Sequence, residues 1–192
     1  MPNRFLITGT GRCGTHWASR VLQCGHQAVF RHEHSLGEPH YWGNQLGDAS
    51  FEAVPLLPII RPELSRVVLL VRNPYRVIRS WLAVGAFGAN MRADYGMWSS
   101  VLDIFFPTVL ASDDPVERAA RFWCDWNMAV LPYATHVLRV EDTTSARLAE
   151  VVGVDDWVDT APTNTGPGHD LTLDVWLPEP GRRLASQLGY RP

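Results

Sequence analysis

The chain has 192 residues, 46% of them hydrophobic and 19% charged, with a formal net charge of −3, a composition that suits one globular domain over residues 1–192 with a sizeable core. The acidic balance argues against a broad nucleic-acid surface, and no apolar run approaches the length of a membrane span. The first strand is expected almost at the N-terminus, which leaves no signal peptide and points to the cytoplasm; Cys13, Cys24 and Cys124, an odd number without metal-ligand spacing, are expected to be reduced thiols there.

Phe5 to Thr8 reads as a short apolar strand that runs into Gly9-Thr10-Gly11-Arg12-Cys13-Gly14 and then a helix over Thr15 to Gln23. Such a turn aims backbone N–H groups and the positive end of a helix at one small volume, so it is a candidate phosphate or sulfate site. Two motifs overlap in it. Gly9-x-Gly11-x-x-Gly14 fits a dinucleotide fingerprint, with Glu33 about 20 residues past the loop, where a ribose-binding acid belongs. Gly9 followed by Gly14-Thr15-His16 fits a P-loop frame whose Gly-Lys-Ser/Thr ending is replaced. A nucleoside triphosphatase needs that lysine on the phosphates, a hydroxyl on Mg²⁺ and a strand-terminal Asp. Here the two positions are Thr15 and His16, Arg12 lies inside the loop, and the strand Val67 to Val71 ends in Arg72. The loop therefore reads as an anion site without a metal.

Further strands are expected at Ala28 to Arg31, Val67 to Val71 and His136 to Val140, and further helices at Pro74 to Ala86, Pro115 to Tyr133 and Ser145 to Val152. Asn73 caps and Pro74 opens the helix after Arg72, and Ser80 lies about two turns along it. Gly37 to Pro62 and Ala161 to Gly168 read as irregular, candidate substrate or cofactor loops. Trp123 and Trp126, at helical spacing, are expected in the core, and Arg76 and Arg79 on a solvated helix face. His26, His32, Glu33 and His34 cluster near the second strand as candidate proton acceptors. Only His32 and His34 can share a strand face, too few ligands for a metal. Strands alternating with helices mean an α/β protein with a parallel sheet flanked by helices.

Arg12-Cys13-Gly14-Thr15-His16-Trp17 resembles the Lys-Ser-Gly-Thr-Thr-Trp loop of the sulfotransferase family, and Arg72-Asn73-Pro74-Tyr75-Arg76-Val77-Ile78-Arg79-Ser80 resembles that family's second anion-binding element. Cys24-Gly25-His26-Gln27-Ala28-Val29-Phe30 is similar to the Gly-His-Glu-x-x-Phe run of small bacterial and phage members, and Arg139-Val140-Glu141-Asp142 to an Arg-Tyr-Glu-Asp strand end. The specific motifs occupy residues 5 to 30 and 67 to 82. The resemblance implies a P-loop NTPase-like sulfotransferase fold and 3′-phosphoadenosine 5′-phosphosulfate (PAPS) as sulfuryl donor without a metal. Gly11, Arg12, Cys13, Gly14, Thr15 and His16 would bind its 5′-phosphosulfate, Arg72 and Ser80 its 3′-phosphate. It implies Arg12 as a catalytic residue with His26 as first choice of base and Glu33 as substitute, since the family's Glu is Gln27 here. The acceptor would be a hydroxyl or amine of a small molecule, glycan or lipid. Asn164-Thr165-Gly166-Pro167-Gly168 stands where many members have Arg-Lys-Gly, with Arg182 and Arg183 as stand-ins or simply residues of a surface helix. A dinucleotide-dependent Rossmann enzyme and an inactive nucleotide-binding relative remain as alternatives.

Overall fold

The computed structural model describes residues 4–23, 30–32, 47–88, 96–162 and 177–191. Backbone contacts group the chain into two compact units, Met1–Arg72 with Ala129–Thr163 and Asn73–Met128 with Asn164–Pro192. Along the chain run strands β1 (Phe5–Thr8), β2 (Phe30–His32), β3 (Gly47–Ala49), β4 (Arg66–Val71) and β5 (His136–Arg139). The helices are α1 (Thr15–Gln23), α2 (Leu57–Ile60), α3 (Pro74–Ala83), α4 (Gly96–Phe105), α5 (Pro115–Val130), α6 (Ser145–Val152) and α7 (Glu179–Gln187). The protein is α/β, and its strands form one parallel sheet in the order β2-β3-β1-β4-β5.

The first unit is built on β4 and β1. Val67 to Val71 are all fully buried, as an uninterrupted Val/Leu run must be when a strand has neighbours on both edges and cover on both faces. Alternation along the strands then sorts the side chains. Phe5, Ile7, Val68 and Leu70 share one core with Trp17 and Val21 of α1 and Leu148 and Val152 of α6. Helix α6 is closed at both ends by its own sequence. Thr144 accepts a hydrogen bond from the Arg147 N–H at 3.1 Å, and Gly153, in the left-handed region at φ 73°, returns its N–H to the Ala149 and Glu150 carbonyls. Arg66 lies over that terminus and donates to the Val152 carbonyl at 2.7 Å.

The second unit has an aromatic core. Phe122 sits between Trp81 and Trp126, with ring centroids 5.6 and 4.8 Å away, and Phe106 stacks at 4.6 Å on Trp126. Trp123 and Trp126 are fully buried, as their helical spacing predicts. Asn73 caps α3, its Oδ1 accepting from the Tyr75 and Arg76 N–H groups.

Several boundaries differ from the sequence reading. β2 runs on to His32, α3 ends at Ala83 where Val84 to Phe87 turn through Gly85 at φ 72°, and α5 ends at Val130. The tract Gly37 to Pro62, read as largely irregular, contains β3, α2, a 3₁₀ turn at Val54–Leu56 and part of another at Arg61–Glu63. β3 escapes notice because it is three residues long and starts with a glycine, whose missing Cβ leaves room for the Phe5 ring. Helix α4 was not expected at all.

Gly153→Ala is expected to lower stability by about 1 to 2 kcal/mol, the cost of a left-handed alanine, and more if Arg66 Nη1, only 2.7 Å from where the new Cβ falls, fails to move. Urea denaturation of both proteins measures it.

Candidate anion-binding loop

Six residues, Gly9 to Gly14, carry the chain from the end of β1 to the start of α1. Each glycine answers a different requirement. A Cβ on Gly9 would collide with the Leu70 carbonyl oxygen of β4 and with Cys13 Sγ, so the loop lies directly on the neighbouring strand. Gly11 has φ 63° and Gly14 has φ 108°, both in the region that a side chain disfavours. Gly14 also lies against Val140, a Cβ there falling 3.0 Å from Cγ2. Cys13 is fully buried and fills the inside of the turn, which explains why a small side chain stands there.

Arg12 has φ 54°, which makes it the non-glycine residue with left-handed backbone among the described residues. Its carbonyl accepts a hydrogen bond from Arg72 Nη1 at 3.0 Å. The side chain that the sequence reading assigned to a second anion thus meets the loop itself. Thr10 Oγ1 adds a longer bond, 3.3 Å, to the Gly11 carbonyl.

Helix α1 begins at once. Its first i→i−4 bond runs from the Ala18 N–H to the Gly14 carbonyl at 2.9 Å, so the N–H groups of Thr15, His16 and Trp17 precede the intrahelical ladder. No acidic residue stands in this first turn, which leaves the positive end of the helix unopposed. Thr15 is buried and His16 exposed. Trp17 anchors the helix start by donating from Nε1 to the Thr160 carbonyl at 2.6 Å. Ser145 Oγ holds Thr160 in place, donating to its carbonyl and accepting from its N–H. The Val158 N–H reaches the Val21 carbonyl. A segment after α6 therefore straps α1 down from its first turn to its second.

The structure brings Gly11, Arg12, Cys13, Gly14, Thr15, His16 and Arg72 into one locality. Ser80 lies on α3 in the second unit, where its side chain is buried. His26, Gln27, Glu33, His34 and Asn164 to Gly168 lie outside the described residues, while His32 is the last residue of β2. Arg182 and Arg183 pair with Glu179 on α7, at 2.7 and 2.9 Å, in the manner of a surface helix. Cys124 has its thiol pushed up to about 11, first by burial and then by the charge of Asp125, so it is no nucleophile at neutral pH.

Two groups near the loop went unnoticed in the sequence. Thr8 closes β1 fully buried, and its Oγ1 has no hydrogen-bond partner among the described residues. Asp48, buried in β3, is in register with Leu6. A charged residue in a three-residue strand gives no periodic signal, and a threonine after three apolar residues reads simply as a strand end.

No protein-family model matches the chain, and neither a curated protein nor a solved structure matches it. Among the described residues, no group of three or more His, Cys, Asp or Glu is placed to hold a metal ion, and no helix is long and apolar enough to cross a membrane.

Gly9→Ala is expected to destabilise the fold by about 1 to 3 kcal/mol, as for an overpacked core. Adding Cys13→Ala should recover only part of that loss, because the clash with the Leu70 carbonyl stays. Full recovery in the double variant, read from thermal unfolding, would mean that the sulfur alone sets the fit.

Proposed function

We propose that the protein is a sulfotransferase that takes a sulfuryl group from PAPS and places it on a hydroxyl or amine of a small-molecule, glycan or lipid acceptor. The observation that carries this reading is the loop of Gly9 to Gly14 with its left-handed Arg12, opening into a helix whose first turn has no acid. An arginine inside the loop, with Thr15 and His16 where a P-loop has lysine and Ser/Thr, suits an anion held by N–H groups and guanidinium rather than through Mg²⁺.

Sheet order supports this reading over a dinucleotide enzyme. In the doubly wound dinucleotide fold β1 lies between β2 and β4, whereas here β3 stands between β2 and β1. An order of β2-β3-β1-β4-β5, with the glycine turn after the central β1, is compatible with a P-loop-like sulfotransferase fold.

The residues present fit the cofactor's 5′ end. The Gly11 to His16 backbone and Arg12 would hold the 5′-phosphosulfate, and Arg72 would serve the 3′-phosphate. When bound, PAPS supplies an activated sulfuryl group. Arg12 and the α1 N-terminus would stabilise negative charge on the departing phosphate, an effect that acts most strongly in the transition state. His26, or Glu33 in its place, would accept the proton from the acceptor's hydroxyl or amine.

3′-Phosphoadenosine 5′-phosphate should raise the melting temperature without any divalent ion, and more than ATP with Mg²⁺ at equal concentration. The reverse order, in a thermal-shift titration, would remove the sulfotransferase reading. Given an acceptor, Arg12→Ala should depress sulfuryl transfer far more than it weakens binding of the desulfated product. The rate should rise with pH through histidine's ordinary range, about 6.5, and His26→Ala should lower turnover by roughly 10² to 10⁴. Loss of activity in Glu33→Gln, with His26→Ala tolerated, would move the base to Glu33. Nucleotide binding with no transfer to any acceptor would favour an inactive relative, in which Gln27 has replaced the carboxylate.

A further inference from the structure

We propose that Arg72 is a positioning residue of the anion loop: by holding the carbonyl of Arg12 it keeps that residue's left-handed backbone in place, so that every anion bound by the loop depends on Arg72, with or without a second phosphate. The inference rests on the proposed anion-binding role of the loop and goes beyond Arg72 as a grip for a 3′-phosphate.

Three observations converge on it. Arg12 is in the left-handed region at φ 54° although it carries a Cβ, a conformation that glycine adopts freely and arginine disfavours. Something outside the loop must favour it. A hydrogen bond reaches the Arg12 carbonyl from a distant part of the chain: Arg72 Nη1 donates to it at 3.0 Å, from 60 residues away in sequence. The same strand end also touches the loop three residues earlier, where the Leu70 carbonyl leaves no room for a Cβ on Gly9. The end of β4 is therefore the template on which the turn is moulded at both its start and its middle. Because strand β4 is the fully buried centre of the first unit, this template is rigid, and a guanidinium at its end is well suited to the task. It carries five N–H donors in a fixed fork, so one can serve the carbonyl while others serve an anion.

The two roles predict different behaviour. If Arg72 only grips a 3′-phosphate, its removal affects ligands that carry one. If it moulds the loop, its removal also weakens anions that have no such group, and loosens the loop when no ligand is present. The experiment uses the full chain and three probes: inorganic sulfate, adenosine 5′-phosphosulfate and 3′-phosphoadenosine 5′-phosphate. Arg72→Ala is expected to weaken all three by at least about tenfold, the loss of one charge-assisted hydrogen bond. Hydrogen exchange in the peptide covering residues 9–16 should accelerate by a similar factor, with exchange in β4 and α6 unchanged. Arg72→Lys, which keeps a donor and a charge, should restore part of the protection. In the Arg12→Gly background the left-handed penalty is absent, so adding Arg72→Ala should change loop exchange much less than it does in the native chain. Loop exchange unaltered by Arg72→Ala overturns the inference, as does a loss of affinity confined to the 3′-phosphorylated nucleotide. Should the native protein bind none of the three probes, the functional reading fails, and loop exchange in the ligand-free variants still decides whether Arg72 moulds the loop.

Discussion

The chain must turn from β1 into α1 while lying against the end of β4, and most of what is distinctive in the first unit follows from that close approach. With the Leu70 carbonyl occupying the space of a Gly9 side chain, the turn has no freedom to bulge toward β4, and it has to curl through left-handed backbone at Gly11, Arg12 and Gly14. The curl leaves an interior just large enough for the Cys13 sulfur. It also delivers α1 so that Trp17 and Val21 cover the face of the sheet already carrying Ile7 and Leu70. The strap from Thr160 to Trp17 and from Val158 to Val21 then fixes the helix at two points, so the loop is held from β4 beneath and from α1 beyond. A turn so constrained presents its N–H groups without further ordering, which is what preorganised binding of an anion requires.

The charges around the turn are few but consistent. The chain is net acidic, yet Arg12 and Arg72 meet at the loop and the first turn of α1 contains no carboxylate. The Arg72 guanidinium donates to the Arg12 carbonyl, which brings a cation to the backbone of the loop. The arrangement differs from a P-loop with lysine and magnesium in kind: lysine is a compact point charge, whereas arginine offers a planar fork whose donors can divide between a carbonyl and an oxyanion.

How much of this was legible follows from the type of signal. β1, the glycine turn, α1 and β4 stand out because an apolar run, a cluster of glycines and an amphipathic period lie side by side. Local cap signals put the start of α3 at Pro74 and α6 at Ser145 to Val152, whereas α3 ends three residues before the expected Ala86. Length defeated the rest. β3 is too short for a period, and its Asp48 contradicts the apolar pattern of a buried strand. Helix α4 opens on Gly96 and carries two serines, weak helix formers whose place in a helix is set by context rather than propensity. Pro180 and Gly181 obscure α7, although proline suits a first turn and Gly181 meets only ordinary contacts with Pro178 and Cys124. Within the site, the identity of Arg72 was readable but its partner was not. A hydrogen bond spanning 60 residues leaves no trace in sequence spacing.

The presence of β3 between β1 and β2 also sets how far the end of β2 stands from β1. Register places His32 level with Ala49 and Ala49 level with Ile7, so the end of β2 is two strand spacings, about 9.5 Å, from β1. In the doubly wound dinucleotide fold β2 lies directly beside β1, and the intervening β3 departs from that order. His32, the last residue of β2, is set back from β1 by the width of β3, whereas Asp48 lies on the strand next to β1. The inserted strand that the sequence concealed is thus the feature that sets the carboxyl end of β2 apart from the strand leading into the glycine turn.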